Sequence, residues 1–375
     1  MGKEIYLQRG NSDDINITYL TDLDSDVEIT DKFYVIKYNG KITVLVGGVD
    51  KKKIEKYGDI SKIISFGKYS EYDIRGDIEE ETKILRKFLE DYDVKNIKIG
   101  PKFPSYIFNK LQQNYDIHSM GKNPISEERK IKKKYEIDNL RSIQEITEKG
   151  MKHAEKILRQ AKVNKKKELV WDNTVLTSEE LQKQIKNFLN KQGVLTPQKY
   201  IVAIGQDSAD PHERGSGKIK TNVPILIDIF PKSNSGYYGD MTRTFVKGKP
   251  PEQLENMGNA VTEALNEALD TIESDIKSCK VHKVACDVLE KHGYKTGVNN
   301  DYGFTHSTGH SIGLELHENP RISGKDEKLK ENMILTIEPG LYYENIGGVR
   351  IENMIRVTEN GFEDFNNMDK NLIIV

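Results

Sequence analysis

Two patterns of apolar and polar positions alternate along this chain, one with the period of a strand and one with that of a helix. "KFYVIKY" (32–38) and "KITVLVGG" (41–48) are strand-like, with a turn at Asn39-Gly40 between them. "IEEETKILRKFLEDY" (78–92) has apolar residues at helical spacing and an acidic first turn, which suits the helix dipole. "VKNIKIG" (94–100) returns as a strand. These elements predict an α/β unit. The segment Gly121 to Lys134, "GKNPISEERKIKKK", has no apolar period and carries a basic run. It reads as a linker with a solvated face, and it places a domain boundary between 1–125 and 126–375.

A long helix is predicted next, in which Ile137, Leu140, Ile143, Ile146, Met151 and Ile157 recur at helical spacing. "SEELQKQIKNFLNKQG" is a second helix, with Ser178 as N-cap and Gly193 closing it. A third begins at Pro250-Pro251, and "VHKVACDVLEKHG" is a fourth. Between and after them "YIVAIG", "VPILIDIF", "TRTFVKG", "MILTIEPGLYY" and "GVRIENMIRVTENG" read as strands.

Composition narrows the setting. The chain has 375 residues and a net charge of −2, so it has no overall electrostatic case for nucleic acid. No apolar run approaches the roughly 18 residues that span a bilayer, and "MGKEIYLQRGNSDD" lacks the apolar core of a signal peptide. Cys279 and Cys286 fit no common zinc spacing and no disulfide framework. A cytoplasmic protein without membrane attachment is expected.

Candidate chemistry is concentrated after residue 225. Asp228 and Asp240 lie on two strand-like runs joined by "IFPKSNSGYYG", whose Pro, Ser, Asn and Gly mark a turn. A hairpin would bring the carboxylates together, with Thr242 on the same strand face as Asp240. Of eight histidines, three (His306, His310 and His317) fall in "HSTGHSIGLELHE" beside glycines that allow close backbone approach. Glu338 in "TIEPG" and Glu352 in "RIEN" interrupt apolar runs, where an ionised glutamate is costly unless paired or bound to metal. Four carboxylates and one imidazole balance two dications. There is no HExxH, no GxSxG elbow and no complete phosphate loop around "GSGK".

Together these words resemble the pita-bread metallopeptidases: methionine aminopeptidase, aminopeptidase P, prolidase and creatinase. The likeness runs from about residue 135 to 375. "NITYLTDLD" (16–24) is similar to the "N-x-x-YLTG" segment of the creatinase/prolidase-type N-domain, which narrows it to the aminopeptidase P/prolidase branch. The resemblance implies an α/β N-terminal domain and an α+β pita-bread catalytic domain. It implies Asp228, Asp240, His310, Glu338 and Glu352 as ligands of two divalent metal ions, with Asp240 and Glu352 bridging. Glu338, His317 and His306 would be catalytic. His212, Arg350 and Tyr342 would bind substrate. An oxygen-rich site with one histidine ranks Mn²⁺ or Co²⁺ above Zn²⁺.

The implied activity is hydrolysis of the peptide bond before proline in a small peptide, by a homodimer. Xaa-Pro dipeptidase (prolidase) is placed ahead of Xaa-Pro aminopeptidase, with creatinase or a non-catalytic binding protein further behind. Four departures stand out. Ser311 replaces the usual glycine after the ligand histidine, and Asn353 replaces the aspartate of "RIED". The loop between Asp228 and Asp240 is one residue longer, and the N-domain's first helix has no counterpart.

Overall fold

The strand-like words of the first unit fold into one mixed sheet. β1 (Lys3–Gly10), β2 (Phe33–Tyr38), β3 (Lys41–Val46), β4 (Lys62–Ser65), β5 (Val94–Ile99) and β6 (Asp116–Ser119) lie in the order β4-β3-β2-β1-β5-β6. Asn39 and Gly40 both have positive φ, 48° and 75°, which a two-residue hairpin between right-twisted strands demands. Successive β2 residues point to opposite faces. Tyr34 and Ile36 join a cluster with Leu85, Phe88 and Ile97, whereas Phe33 and Val35 join one with Ile17 and Val44. The helices are α1 (Ile15–Thr21), α2 (Gly48–Tyr57), α3 (Ile78–Asp91), α4 (Ser105–Leu111) and α5 (Pro124–Glu128). Asp77 caps α3 by accepting from the N–H groups of Glu79 and Glu80.

The structure, a computed structural model, describes residues 3–23, 27–71 and 76–375. Asp24, the last residue of "NITYLTDLD", lies outside them. The chain divides into two units, Met1–Arg129 and Lys130–Val375. The segment 121–134 is not the solvated linker its composition predicts. Asn123 caps α5, accepting from Ile125 N–H, and Arg129, Lys130 and Lys132 are buried. Their charges are met locally. Arg129 donates to Asn16 Oδ1, Lys130 pairs with Glu327, and Lys132 pairs with Glu318.

The second unit opens with α6 (Lys134–Gln160), followed by a small sheet of β7 (Lys162–Val163), β8 (Leu169–Trp171) and β9 (Thr174–Val175). In α7 (Ser178–Lys191) the N-cap is Thr177, not Ser178. Thr177 Oγ1 accepts from Glu180 N–H, while Ser178 turns inward and donates to the Val202 carbonyl at 2.7 Å. The sheets are β10-β11-β12-β20 and β14-β13-β15-β18-β19, with β16 and β17 as a separate pair. The strands are β10 (Ile201–Ile204), β11 (Ile225–Ile229), β12 (Met241–Val246), β13 (Gly309–Ser311), β14 (Glu318–Ile322), β15 (Ile334–Ile337), β16 (Gly340–Tyr343), β17 (Gly347–Arg350), β18 (Asn353–Thr358), β19 (Gly361–Asp364) and β20 (Ile373–Ile374). Helices α8 (Glu252–Asp270) and α9 (Ser278–Lys291) pack Val261, Leu265 and Leu289 onto Leu335, Leu341, Val349 and Ile355.

Two runs that read as single strands are broken. "MILTIEPGLYY" splits at Glu338-Pro339 into β15 and β16, and "GVRIENMIRV" splits at Ile351-Glu352 into β17 and β18. Pro339 has no N–H to give to a ladder. The halves then pair crosswise, β15 with β18 and β16 with β17. Both glutamates therefore stand where one ladder hands over to the next.

Candidate active site

Antiparallel pairing sets Asp228 on β11 opposite Thr242 on β12, and Asp240 immediately precedes β12 at the same end of the hairpin. β13 supplies His310, and the two strand breaks supply Glu338 and Glu352. These five line one cavity of about 210 Å³ together with His212, His306, His317 and Arg350. Tyr342 is placed one layer deeper. It is buried, and its hydroxyl lies 2.8 Å from His306 Nε2 and accepts from Arg350 Nη1 at 2.9 Å.

One ligand atom from each of Asp240, His310 and Glu352 falls within 4.8 Å of the others. His310 Nε2 is 3.7 Å from Asp240 Oδ2 and 3.4 Å from Glu338 Oε1. His310 Nδ1 faces the Ser311 carbonyl at 3.1 Å, so it carries the proton and leaves Nε2 bare toward the carboxylates. Asp228 Oδ2 accepts from Arg350 Nη2 at 2.8 Å, whereas Asp228 Oδ1 is buried with no donor among the described residues. An orphaned carboxylate oxygen, three more carboxylates and one bare imidazole nitrogen form a donor set that fits divalent cations.

The electrostatics agree. Burial pushes the Asp240 and Glu352 carboxyls well above the ordinary range, and their negative neighbours push them further. Burial raises Asp228 against the opposing pull of Arg350, and lifts Glu338 to about 7. His306 and His310 are pushed down to about 3 by burial, so both rings are neutral at physiological pH. Half-buried His317 is also lowered by burial, and its ring stands edge-on to His310 at 4.5 Å.

Residues outside the donor set hold this geometry, and of these Thr242 is marked in the sequence by its place beside Asp240. Gln144 on α6 grips the backbone of Asp240 from both sides. Its Nε2 donates to the carbonyl at 2.7 Å and its Oε1 accepts from the N–H at 2.9 Å. It sits on the apolar stripe between Leu140 and Thr147, and a polar residue on that stripe is the available clue. Thr242 Oγ1 donates to Glu352 Oε2 at 2.9 Å and accepts from Arg350 Nε at 3.1 Å.

Arg243 is fully buried. It donates to the carbonyls of Thr242, Glu352, Met368 and Asp369 and to Asn353 Oδ1. Asn353 Nδ2 donates onward to Asp364 Oδ2 at 2.7 Å. A Cβ on Gly309 would lie 1.8 Å from the Thr336 carbonyl oxygen, so glycine before His310 lets β13 close on β15. Gln144→Ala is expected to weaken divalent-metal affinity by about 10- to 100-fold with the fold retained, read by calorimetric titration of the metal-free protein.

A model of metallopeptidase family M24 matches residues 138–359, the stretch that carries all five acidic and histidine donors. The chain belongs to metallopeptidase family M24. As a member it implies divalent metal ions at this cluster. An uncharacterised peptidase of Staphylococcus haemolyticus is 33% identical over 265 residues, 69% of this chain and 70% of that one. A Xaa-Pro dipeptidase of Pyrococcus horikoshii is 30% identical over 300 residues, covering 78% of this chain and 80% of the relative. Among solved structures, an X-Pro aminopeptidase of Thermotoga maritima superposes with a TM-score of 0.79 at 21% identity, over 100% of this chain and 98% of its own. The prolidase of Pyrococcus furiosus superposes with a TM-score of 0.75 at 25% identity, over 98% and 97%. The expected two-part pita-bread architecture is the fold of this M24 chain.

Proposed function

We propose that this M24 peptidase is a Xaa-Pro dipeptidase, cleaving the peptide bond before a C-terminal proline. The names of the Pyrococcus relatives support the bond that is cut. The observation that carries the dipeptide preference is Arg321. It lines the cavity and has no hydrogen-bond or ion-pair partner among the described residues. Arg214, stacked over Phe230 at 5.4 Å, and His212 line the same cavity. A cationic rim over a carboxylate floor suits a substrate whose own carboxylate lies one residue from the scissile bond.

Asp228, Asp240, His310, Glu338 and Glu352 would hold the metal ions, with Mn²⁺ or Co²⁺ ranked ahead of Zn²⁺. Divalent cations bound there supply Lewis acidity and a readily ionised water. The carboxylates differ in freedom. Glu352 is held by Thr242, Asp228 by Arg350, and Asp240 through its backbone by Gln144. Among the described residues the Glu338 carboxylate accepts only a long 3.5 Å hydrogen bond, from Thr336 Oγ1, Arg350 Nε stands off at 3.9 Å, and 16% of the side chain stays accessible. It is the carboxylate able to take a proton from water and pass it to the leaving nitrogen.

His317, neutral and lining the cavity, donates to the oxygen on which charge develops. His306 has both ring nitrogens engaged, with Ser307 O and with Tyr342 Oη, so it shapes the wall and moves no proton. Arg350 orients Asp228 and Tyr342. The first unit corresponds to a prolidase-type N-domain. A cytoplasmic homodimer is the accompanying reading, supported by two free cysteines and by the family resemblance.

The test is proline release by the Mn²⁺-loaded protein from a Xaa-Pro dipeptide beside a Xaa-Pro-Xaa tripeptide. Preference for the dipeptide is expected. Preference for the tripeptide replaces the reading with aminopeptidase P, and cleavage of neither sinks both. Arg321→Ala is expected to raise KM for the dipeptide about 10- to 100-fold, the loss of a charge-assisted hydrogen bond, with a much smaller change for the tripeptide.

A further inference from the structure

Lys132 is a fully enclosed charge within the basic run. Its side chain is 1% exposed and that of its partner Glu318 is 6% exposed. Lys132 Nζ donates to Glu318 Oε2 at 3.1 Å and to Ser311 Oγ at 3.0 Å. Ser311 Oγ donates in turn to the Ile334 carbonyl at 3.0 Å, and Lys132 N–H donates to the Asn332 carbonyl at 2.9 Å. A buried ion pair is weak grounds for stability, because desolvation offsets the attraction and an apolar pair often serves as well. Its position explains it better. Ser311 follows His310, and Glu318 follows His317.

The two are cross-strand partners at the base of the β13–β14 hairpin, beside an irregularity in register between His310 and Ser311. The connecting loop, 312–317, ends on His317. It is wrapped on the Glu318 carboxylate, because Oε1 accepts from Glu315 N–H at 3.2 Å and a Cβ on Gly313 would lie 2.8 Å from that oxygen. One ammonium therefore ties together the residues that follow both site histidines. Through Ser311 it also ties them to β15, the strand that leads into Glu338. Ser311 stands where the family resemblance sets glycine, which has no hydroxyl to offer.

We infer that Lys132 is a positioning residue for His317, holding the β13–β14 loop so that the imidazole stays over the cavity. The inference rests on the peptidase reading above. The test is Lys132→Met combined with Glu318→Gln, which removes both charges and leaves no unpaired buried carboxylate. Metal content and KM are expected at wild-type values, with kcat on a Xaa-Pro dipeptide lower by about 10- to 100-fold, the scale of a small misplacement. Adding His317→Ala to this pair should cost no more than His317→Ala alone, since the lysine acts through that ring.

In the metal-free protein, the His317 ring resonance, identified by its loss in His317→Ala, should broaden or double in the paired variant. Wild-type kcat in the paired variant, independent multiplication of the losses, or an unchanged sharp His317 signal would each overturn the inference. Should the paired variant fail to fold, Ser311→Gly removes one of the two bonds. A smaller loss in kcat at full metal content is then expected, and wild-type kcat overturns the inference. The resonance requires no substrate. A protein that cleaves no proline peptide, but whose His317 signal responds to loss of Lys132, refutes the peptidase reading and leaves the positioning intact.

Discussion

Glu338→Gln is expected to lower kcat on a Xaa-Pro dipeptide by about 10²- to 10⁴-fold, the range for losing a positioned proton acceptor. Glutamine keeps the length and the planar head of the side chain. It keeps an oxygen for the Thr336 hydroxyl, but it cannot accept a proton from water at neutral pH. The other carboxylates are poor substitutes, since Glu352 is fixed by Thr242 and Asp228 by Arg350. The fold should be untouched, because Glu338 stands at the end of β15 with its carboxylate facing the cavity and accepting no hydrogen bond shorter than the 3.5 Å one from Thr336. Steady-state kinetics, with bound metal counted on the same sample, checks this. Near-normal kcat with two ions bound would remove Glu338 from the proton path.

Arg243→Met should give the largest loss of stability. The guanidinium donates to four backbone carbonyls and to Asn353 Oδ1, and all but the Asp369 bond are fully buried. Methionine fills part of the volume and satisfies none of these acceptors. Burial pushes Arg243 down to about 10, which still leaves it charged at neutral pH. Glu352 is the first of the acidic groups that support that charge. Breaking such a network from one side costs on the order of 3–5 kcal/mol. The expected fall in Tm is roughly 10 °C, read by scanning calorimetry of the metal-free protein. Arg243→Lys should recover little, because an ammonium has three donors and no planar fork to span carbonyls of two chain segments. A Tm for Arg243→Met within a degree or two of the wild type would show that the carbonyls find other donors.

What could be read from the sequence, and what could not, follows from the range of the interactions. The Asn39-Gly40 hairpin and the capped, acidic start of α3 rest on neighbours within a few positions, so local chemistry reveals them. Glu338 and Glu352 betray themselves as charges inside apolar runs. Those runs also hide the breaks at Pro339 and Glu352, because the apolar pattern continues into a different ladder. Gln144 acts on Asp240, 96 positions away, through backbone atoms that carry no sequence signature. The basic run 129–134 reads as solvated because its partners, Glu318 and Glu327, lie nearly 200 positions on. Thr177 and Ser178 are both good caps, so local chemistry does not separate them, and the backbone decides for Thr177.

Asn353 has a consequence for inheritance. Its amide accepts from Arg243 and donates to Asp364, a double duty open to a group with both donor and acceptor ends. An aspartate, the residue of the "RIED" word, serves Arg243 equally well but turns a second carboxylate toward Asp364. The identity of residue 353 is therefore bound to that of residue 364, although eleven positions separate them. Aspartate at 353 is therefore expected to be tolerated better when residue 364 is no longer an acid, which makes the two positions a coupled pair.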